Sequence, residues 1–309
     1  MEQGRAIGFE EKPLWRRIAD FPLVVMVIAA CFWFGAILVA ALIARSVLFP
    51  GLTPEMTFNL LGALLLIIFY KLVIRRLGER PRDDLRFVGA VRPLFAGLGL
   101  GFLIFSAAVA VAAAIGIYRI SGEGDSSDLL AALLGPALFV AVSEEMLFRA
   151  ILFRWIEEFG GSWAALVVTA GLFGAVHLNN PNASLLGAVG IAFEAGVLLG
   201  GAYMLTRSLW LPIGIHAAWN FTQGEIFDIP VSGTRVHGLL QARLSGAPLL
   251  TGNGFGLEAS PIAMIVATAT GVWLVVLAVK RGELIRPWWV RRGEANVSPA
   301  VAPESAVRP

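Results

Sequence analysis

Apolar residues in this chain come in long runs separated by short polar joints, and that spacing restricts the fold more than any other feature. About 20 consecutive apolar residues cross the hydrocarbon core of a bilayer as a helix. A helix also satisfies its own backbone where no water can. The runs lie at 21–49, 56–74, 93–118, 129–159, 163–178, 184–205, 209–222 and 261–279. Composition agrees: 57% of the 309 residues are apolar and 15% are charged, whereas a soluble domain is about a quarter charged. The expected fold is an all-α, polytopic transmembrane helical bundle of about eight spans. No joint is long enough for a soluble domain, so the expected organisation is one membrane domain at 21–289. A polar cytoplasmic segment, 1–20, precedes it and a disordered tail, 290–309, follows.

Charge placement orients the bundle. An even number of spans puts both termini on one side. Twenty of the 24 Lys and Arg fall on that side or on helix ends facing it; only Arg45, Arg119, Arg235 and Arg243 do not. Positive charge accumulates on the cytoplasmic side of membrane proteins, so both termini are expected in the cytoplasm of a multi-pass protein of the bacterial plasma membrane. The basic segment 75–92 reads as a solvated anchor at anionic headgroups. The opening segment 1–20 lacks the short apolar core and small-residue cleavage site of a signal peptide, and the first run is too long for one. The single cysteine, Cys31, excludes an internal disulfide and a cysteine-based zinc cluster; it reads as a small buried apolar side chain. Gly97, Gly99 and Gly101 suit close helix packing, Pro136 a kink, Gly160-Gly161 a helix end and Asp128 a cap. The longest joint, 224–260, is expected on the membrane or dipping into it, with His237 solvated.

Against this background the polar residues inside the runs stand out. A charged side chain at the centre of a membrane helix costs roughly 2.5–3.5 kcal/mol on insertion scales. Yet Glu144, Glu145 and Arg149 share one run, and His177, Glu194, His216 and Asn220 lie in the next three. Glu145 and Arg149 are four apart, on one helical face, where they can pair. Glu144 is about 100° around the helix and faces a different neighbour. His216 and Asn220 also share a face. The expected pocket is therefore Glu144, His177, His216 and Asn220, supported by the Glu145–Arg149 pair, while Glu194 stands outside the pattern. At 1.5 Å per residue these side chains lie roughly 12–21 Å from the cytoplasmic helix ends, which suggests cleavage near the cytoplasmic half of the bilayer. A carboxylate beside an imidazole can deprotonate a water, and an imidazole and an amide can stabilise an oxyanion. Glu144, His177 and His216 are equally a zinc set. The residue types leave the zinc-dependent and metal-free versions both open.

The motifs Glu144-Glu145-x-x-x-Arg149, Phe173-x-x-x-His177 and His216-x-x-x-Asn220, in this order and on successive helices, resemble the CPBP family of intramembrane proteases. That family includes the type II CAAX prenyl endopeptidases and the bacteriocin-processing Abi proteins. The resemblance covers about 129–223. It implies an endopeptidase in which Glu144 is the general base, His177 positions the water, His216 and Asn220 hold the oxyanion, and Glu145 and Arg149 keep the site in shape. The expected partners are membrane lipids and a membrane-associated peptide or protein substrate, with no nucleic acid. Two other readings compete: a non-catalytic immunity or scaffolding protein, and a transporter relaying protons through Glu144, Glu194 and the histidines.

Overall fold

The long apolar runs fold as helices in the computed structural model, which describes residues 13–47, 49–124 and 129–296. A short helix, Leu14–Ala19, leads into α1 (Pro22–Ser46), α2 (Pro54–Leu72) and α3 (Val91–Ala114). Both α1 and α2 start with proline in the first turn, where its missing N–H leaves no bond unmade. Thr53 caps α2 by accepting the Met56 N–H at 3.1 Å. The helical stretch Leu129–Asn179 breaks at Gly161, whose φ of 83° no L side chain adopts easily. The break divides it into α4 (129–160) and α5 (162–179). Then follow α6 (Leu185–Thr206), α7 (210–226), α8 (Pro261–Lys280) and α9 (Trp288–Asn296).

Among the described residues, six helical stretches are long and apolar enough to cross a membrane. They are α1, α2, α3, the continuous α4–α5 stretch, α6 and α8. Their outward faces carry large exposed apolar side chains, such as Phe34, Leu38, Leu103, Val167 and Ile265. Such a surface is what membrane-spanning helices present to lipid. The helical bundle is thus as expected, with one addition. Two strands, β1 (Tyr118–Glu123) and β2 (Leu240–Leu244), pair antiparallel with Ile120 opposite Ala242. The ribbon joins two loops more than a hundred residues apart, a pairing that periodicity cannot announce.

Three local expectations change. Cys31 is exposed, not buried: α1 turns Val25, Ala29, Ala36, Ala40 and Ala44 inward, and Cys31 lies off that small-residue face. The basic segment is more than a solvated anchor. Arg82 reaches Asp84 at 2.6 Å and donates to the Tyr203 hydroxyl at 2.6 Å, while Asp84, itself buried, faces Arg154 at 3.7 Å. Residues 288–296, which overlap the expected disordered tail, form α9; the remainder of that tail, the segment 1–12 and the Asp128 cap lie outside the described residues.

What positions the site is the contact between α3 and α7. A Cβ built on Gly97 would sit 2.4 Å from the Leu211 carbonyl oxygen, one on Gly101 2.3 Å from that of Ile215, and one on Gly214 2.4 Å from that of Leu94. The two backbones touch, and only glycine permits it. Gly99 has nothing within 4 Å, so the expected glycine contact involves its two neighbours and not Gly99. Pro136, expected to kink its helix, sits inside a widened, π-type turn at Leu133–Ala137. Similar turns occur at Met146–Phe153, Ala192–Gly196 and Thr222–Ile226. Such turns often mark functional sites, and these four surround one polar region.

Candidate active site

Adjacent positions on α4 meet different fates. Glu145 is fully buried, whereas the Glu144 side chain is 29% exposed. One oxygen of Glu145, Oε1, accepts from Arg149 Nη1 at 2.9 Å and from His216 Nδ1 at 2.9 Å. Glu145 therefore does more than pair with Arg149: it carries α7's imidazole. The Arg149 guanidinium continues to the Ala195 carbonyl of α6 at 3.3 Å and stacks 4.8 Å over the Phe173 ring. Burying an ion pair is costly unless further hydrogen bonds satisfy it, and these contacts supply part of them: among the described residues Glu145 Oε2 and Arg149 Nε find no hydrogen-bond partner. One residue before Glu144, the Ser143 carbonyl accepts the Trp33 indole N–H at 2.9 Å. This bond from α1 holds α4 at the level of Glu144; Trp33 carries no motif that would have singled it out.

Phe173 organises the histidines. Its ring centre lies 4.8 Å from that of His177 and 6.2 Å from that of His216. Its backbone carbonyl accepts His177 Nδ1 at 2.6 Å. A carbonyl only accepts, so Nδ1 carries the proton and the other ring nitrogen, Nε2, is left for chemistry. His216 is held likewise, Nδ1 against Glu145, and its Nε2 stands 3.9 Å from Glu144 Oε2. That gap is too long for a hydrogen bond and suits a bridging water.

Two cavities meet at these rings. The wider one, of about 300 Å³, is lined by Glu144, His177, His216 and Asn220, the four residues expected to work together. Its far wall combines apolar α4 residues such as Ala132 and Val140 with polar loop residues such as Asn180 and Ser232 and with Glu225 at the end of α7. The inner one, of about 30 Å³, is also lined by His177, His216 and Asn220, and continues to Glu194, Ser232 and Glu258. A space of that size holds a water or two. Glu194, outside the motif pattern, thus lines the inner pocket. Glu258, Gln223 and Ser232 were not legible in the sequence. Glu258 accepts the Ser232 backbone N–H, and Trp219 Nε1 donates to Gln223 Oε1 at 2.9 Å. Burial pushes the Glu258 carboxyl up to about 7, against the hydrogen bonds from Ser232, Trp219 and Gln223. The exposed His237 lies apart, in a neighbouring loop cleft.

A zinc site would need three donors about 2.0–2.2 Å from one point. Among the described residues no three His, Cys, Asp or Glu side chains are gathered in that way. The candidate trio Glu144, His177 and His216 lines one cavity without being gathered as a ligand set, although the committed Nδ1 atoms leave each Nε2 free, as ligation of a metal also requires.

Glutamates, histidines and an asparagine converging from α4, α5 and α7 inside a helical bundle narrow the kinship. Residues 126–222 match the family of Rce1-like type II CAAX prenyl endopeptidases. The match covers about a third of the chain and includes every motif residue of the cavity. It identifies the Rce1-like segment with a family of membrane proteases and supports a hydrolase acting on a peptide or protein. No curated protein matches the sequence. Gln223, Ser232 and Glu258 fall beyond the Rce1-like segment, so the inner pocket is completed by residues outside it.

Proposed function

We propose that this chain is an intramembrane endopeptidase of the CAAX-protease type, hydrolysing a peptide bond in a membrane-associated peptide or protein with a water activated by Glu144. The observation that carries the reading is the contrast between the two adjacent carboxylates. Glu145 is consumed by Arg149 and His216, while Glu144 faces the cavity beside His216 Nε2 at 3.9 Å. In the proposed reaction a water between Glu144 and the imidazoles loses a proton to Glu144 as its oxygen attacks the scissile carbonyl carbon. His177, with Nδ1–H fixed on the Phe173 carbonyl, orients that water through Nε2. The Asn220 amide donates to the oxyanion; His216 adds a donor at Nε2 when its ring carries both protons. As the C–N bond breaks, Glu144 returns its proton to the departing amine, leaving a carboxylic acid and an amine, which exchange a proton to become carboxylate and ammonium. Eight crossings with both termini cytoplasmic belong to the same proposal, with α4 and α5 crossing separately about Gly161 and α7 completing the count.

The test compares cleavage products of membrane proteins in cells carrying the wild-type chain or Glu144→Gln. Products that disappear with Glu144→Gln support proteolysis; an unchanged set removes it. Purified protein assayed after chelation, with metal analysis and zinc add-back, addresses the water's activation. Activity without stoichiometric metal fits the glutamate mechanism, and strict dependence on zinc replaces it.

A further inference from the structure

The two ends of the bundle differ in charge and in what they cover. One end is tied by Arg82 and Arg154 around Asp84, by Arg207 to Glu157 at 2.6 Å and by Arg291 to the Glu158 carbonyl at 2.6 Å. Phe21 meets Phe159 there at 5.7 Å. This end therefore gathers the start of α1, the joint before α3, the α4–α5 turn, the α6–α7 turn and the start of α9. The other end is tied by the β1–β2 ribbon, by Tyr118 to the Phe227 carbonyl at 3.1 Å and by Asn182 to the Gly254 carbonyl at 3.4 Å.

The catalytic cavity belongs to the second end. Its loop wall is Asn180, Pro181, Val231, Ser232 and Thr234, Glu225 at the end of α7 adjoins it, and no residue of the first end lines it. His177 opens the last turn of α5, immediately before the Asn179-Asn180-Pro181 corner at that end. Among the described residues the second end carries just four arginines, Arg45, Arg119, Arg235 and Arg243, while the other Lys and Arg outside the membrane interior gather at the first. Basic residues within short loops and at helix ends set orientation, and the basic side is cytoplasmic. The sequence alone suggested cleavage near the cytoplasmic half of the bilayer; the loops that line the cavity reverse that direction.

We infer that the cavity is reached from the non-cytoplasmic side, and that its substrate is an exported stretch of polypeptide at the outer end of a membrane anchor. The apolar α4 wall, Ala132, Pro136, Ala137 and Val140, suits the anchor, and the polar loop wall suits the chain leaving the bilayer. This inference rests on the proteolytic, eight-crossing reading above, and two measurements separate their failures.

The first measurement uses the full chain with Cys31→Ser, which removes its single cysteine. Single cysteines are placed at Thr234→Cys in the cavity's loop wall, at the exposed His237→Cys and, at the basic end, at Val88→Cys, which is 87% exposed. A membrane-impermeant maleimide on intact cells should label Thr234→Cys and His237→Cys, and Val88→Cys only after permeabilisation. Labelling of Val88→Cys in intact cells, with Thr234→Cys protected, overturns the inference whatever the protease result. The second measurement maps the cleavage sites lost with Glu144→Gln. Sites in outer segments support the inference, and sites in cytoplasmic segments overturn it. If labelling is outward but no cleavage is lost, the proteolytic reading has failed and the substrate inference falls with it, while the orientation stands.

Discussion

Glu144 and Glu145 differ by one position and by everything that surrounds them. Their separation was legible from helical geometry, because 100° of rotation sends adjacent side chains to different neighbours. The bond from Glu145 to His216 was not, because it depends on how α7 lies against α4. It changes the expected mutational pattern. Glu144→Gln should lower peptide hydrolysis about 10²–10⁴-fold and leave thermal unfolding in detergent nearly unchanged. Glu145→Gln should abolish hydrolysis as well, through His216, but also cost about 3–5 kcal/mol by stranding buried Arg149. Equal unfolding temperatures for the two variants would refute this division of labour. Glu258 makes a separate prediction. Its carboxyl, ordinarily near 4.5, is raised to about 7. Between those values the folded chain keeps a proton that the unfolded chain releases. The stabilising contribution is therefore complete below the lower value and is lost as pH rises through the upper one. Unfolding measured at pH steps across this window should show the decline in the wild type and a flatter profile in Glu258→Gln.

At the scale of elements, long runs announced helices and Gly160-Gly161 announced a break, since these signals are local. The widened turns were not legible except near Pro136: one extra residue in a helical turn leaves no compositional mark. The glycines of α3 show where local reading ends. All three looked equivalent in sequence, yet Gly97 and Gly101 touch the α7 backbone and Gly99 touches nothing. Gly101→Val should push α3 away from the helix that presents His216 and Asn220, reducing both hydrolysis and unfolding temperature. Gly99→Ala should stabilise the chain by up to about 1 kcal/mol through helix propensity and leave hydrolysis intact. A Gly101→Val protein with wild-type activity would show that the α3–α7 contact does not set the site.

Across the whole molecule, the bundle could be read from the apolar runs and the candidate site's motifs from 129–223, where each motif residue sits on a helix with its own periodic signal. The inner pocket could not, because Ser232 and Glu258 come from a long joint with no periodicity and reach the site only through tertiary contacts such as Gly233 N–H to the Phe255 carbonyl at 2.8 Å. The β1–β2 ribbon belongs to the same unreadable class, and it has a kinetic consequence. Asp228 accepts the Ala242 N–H at 2.9 Å, so the ribbon holds the loop whose next residues line the cavity. A two-stranded ribbon is marginally stable by itself. Amides of Tyr118–Glu123 and Leu240–Leu244 should therefore exchange with deuterium faster than those of α3 or α7, on the timescale of local opening rather than of unfolding. A disulfide between Ile120→Cys and Ala242→Cys, opposite each other in register, placed in the Cys31→Ser chain, should slow that exchange. If loop opening admits substrate, turnover should fall with it and recover on reduction, so the rate of hydrolysis would be set by a hairpin that never touches the scissile bond.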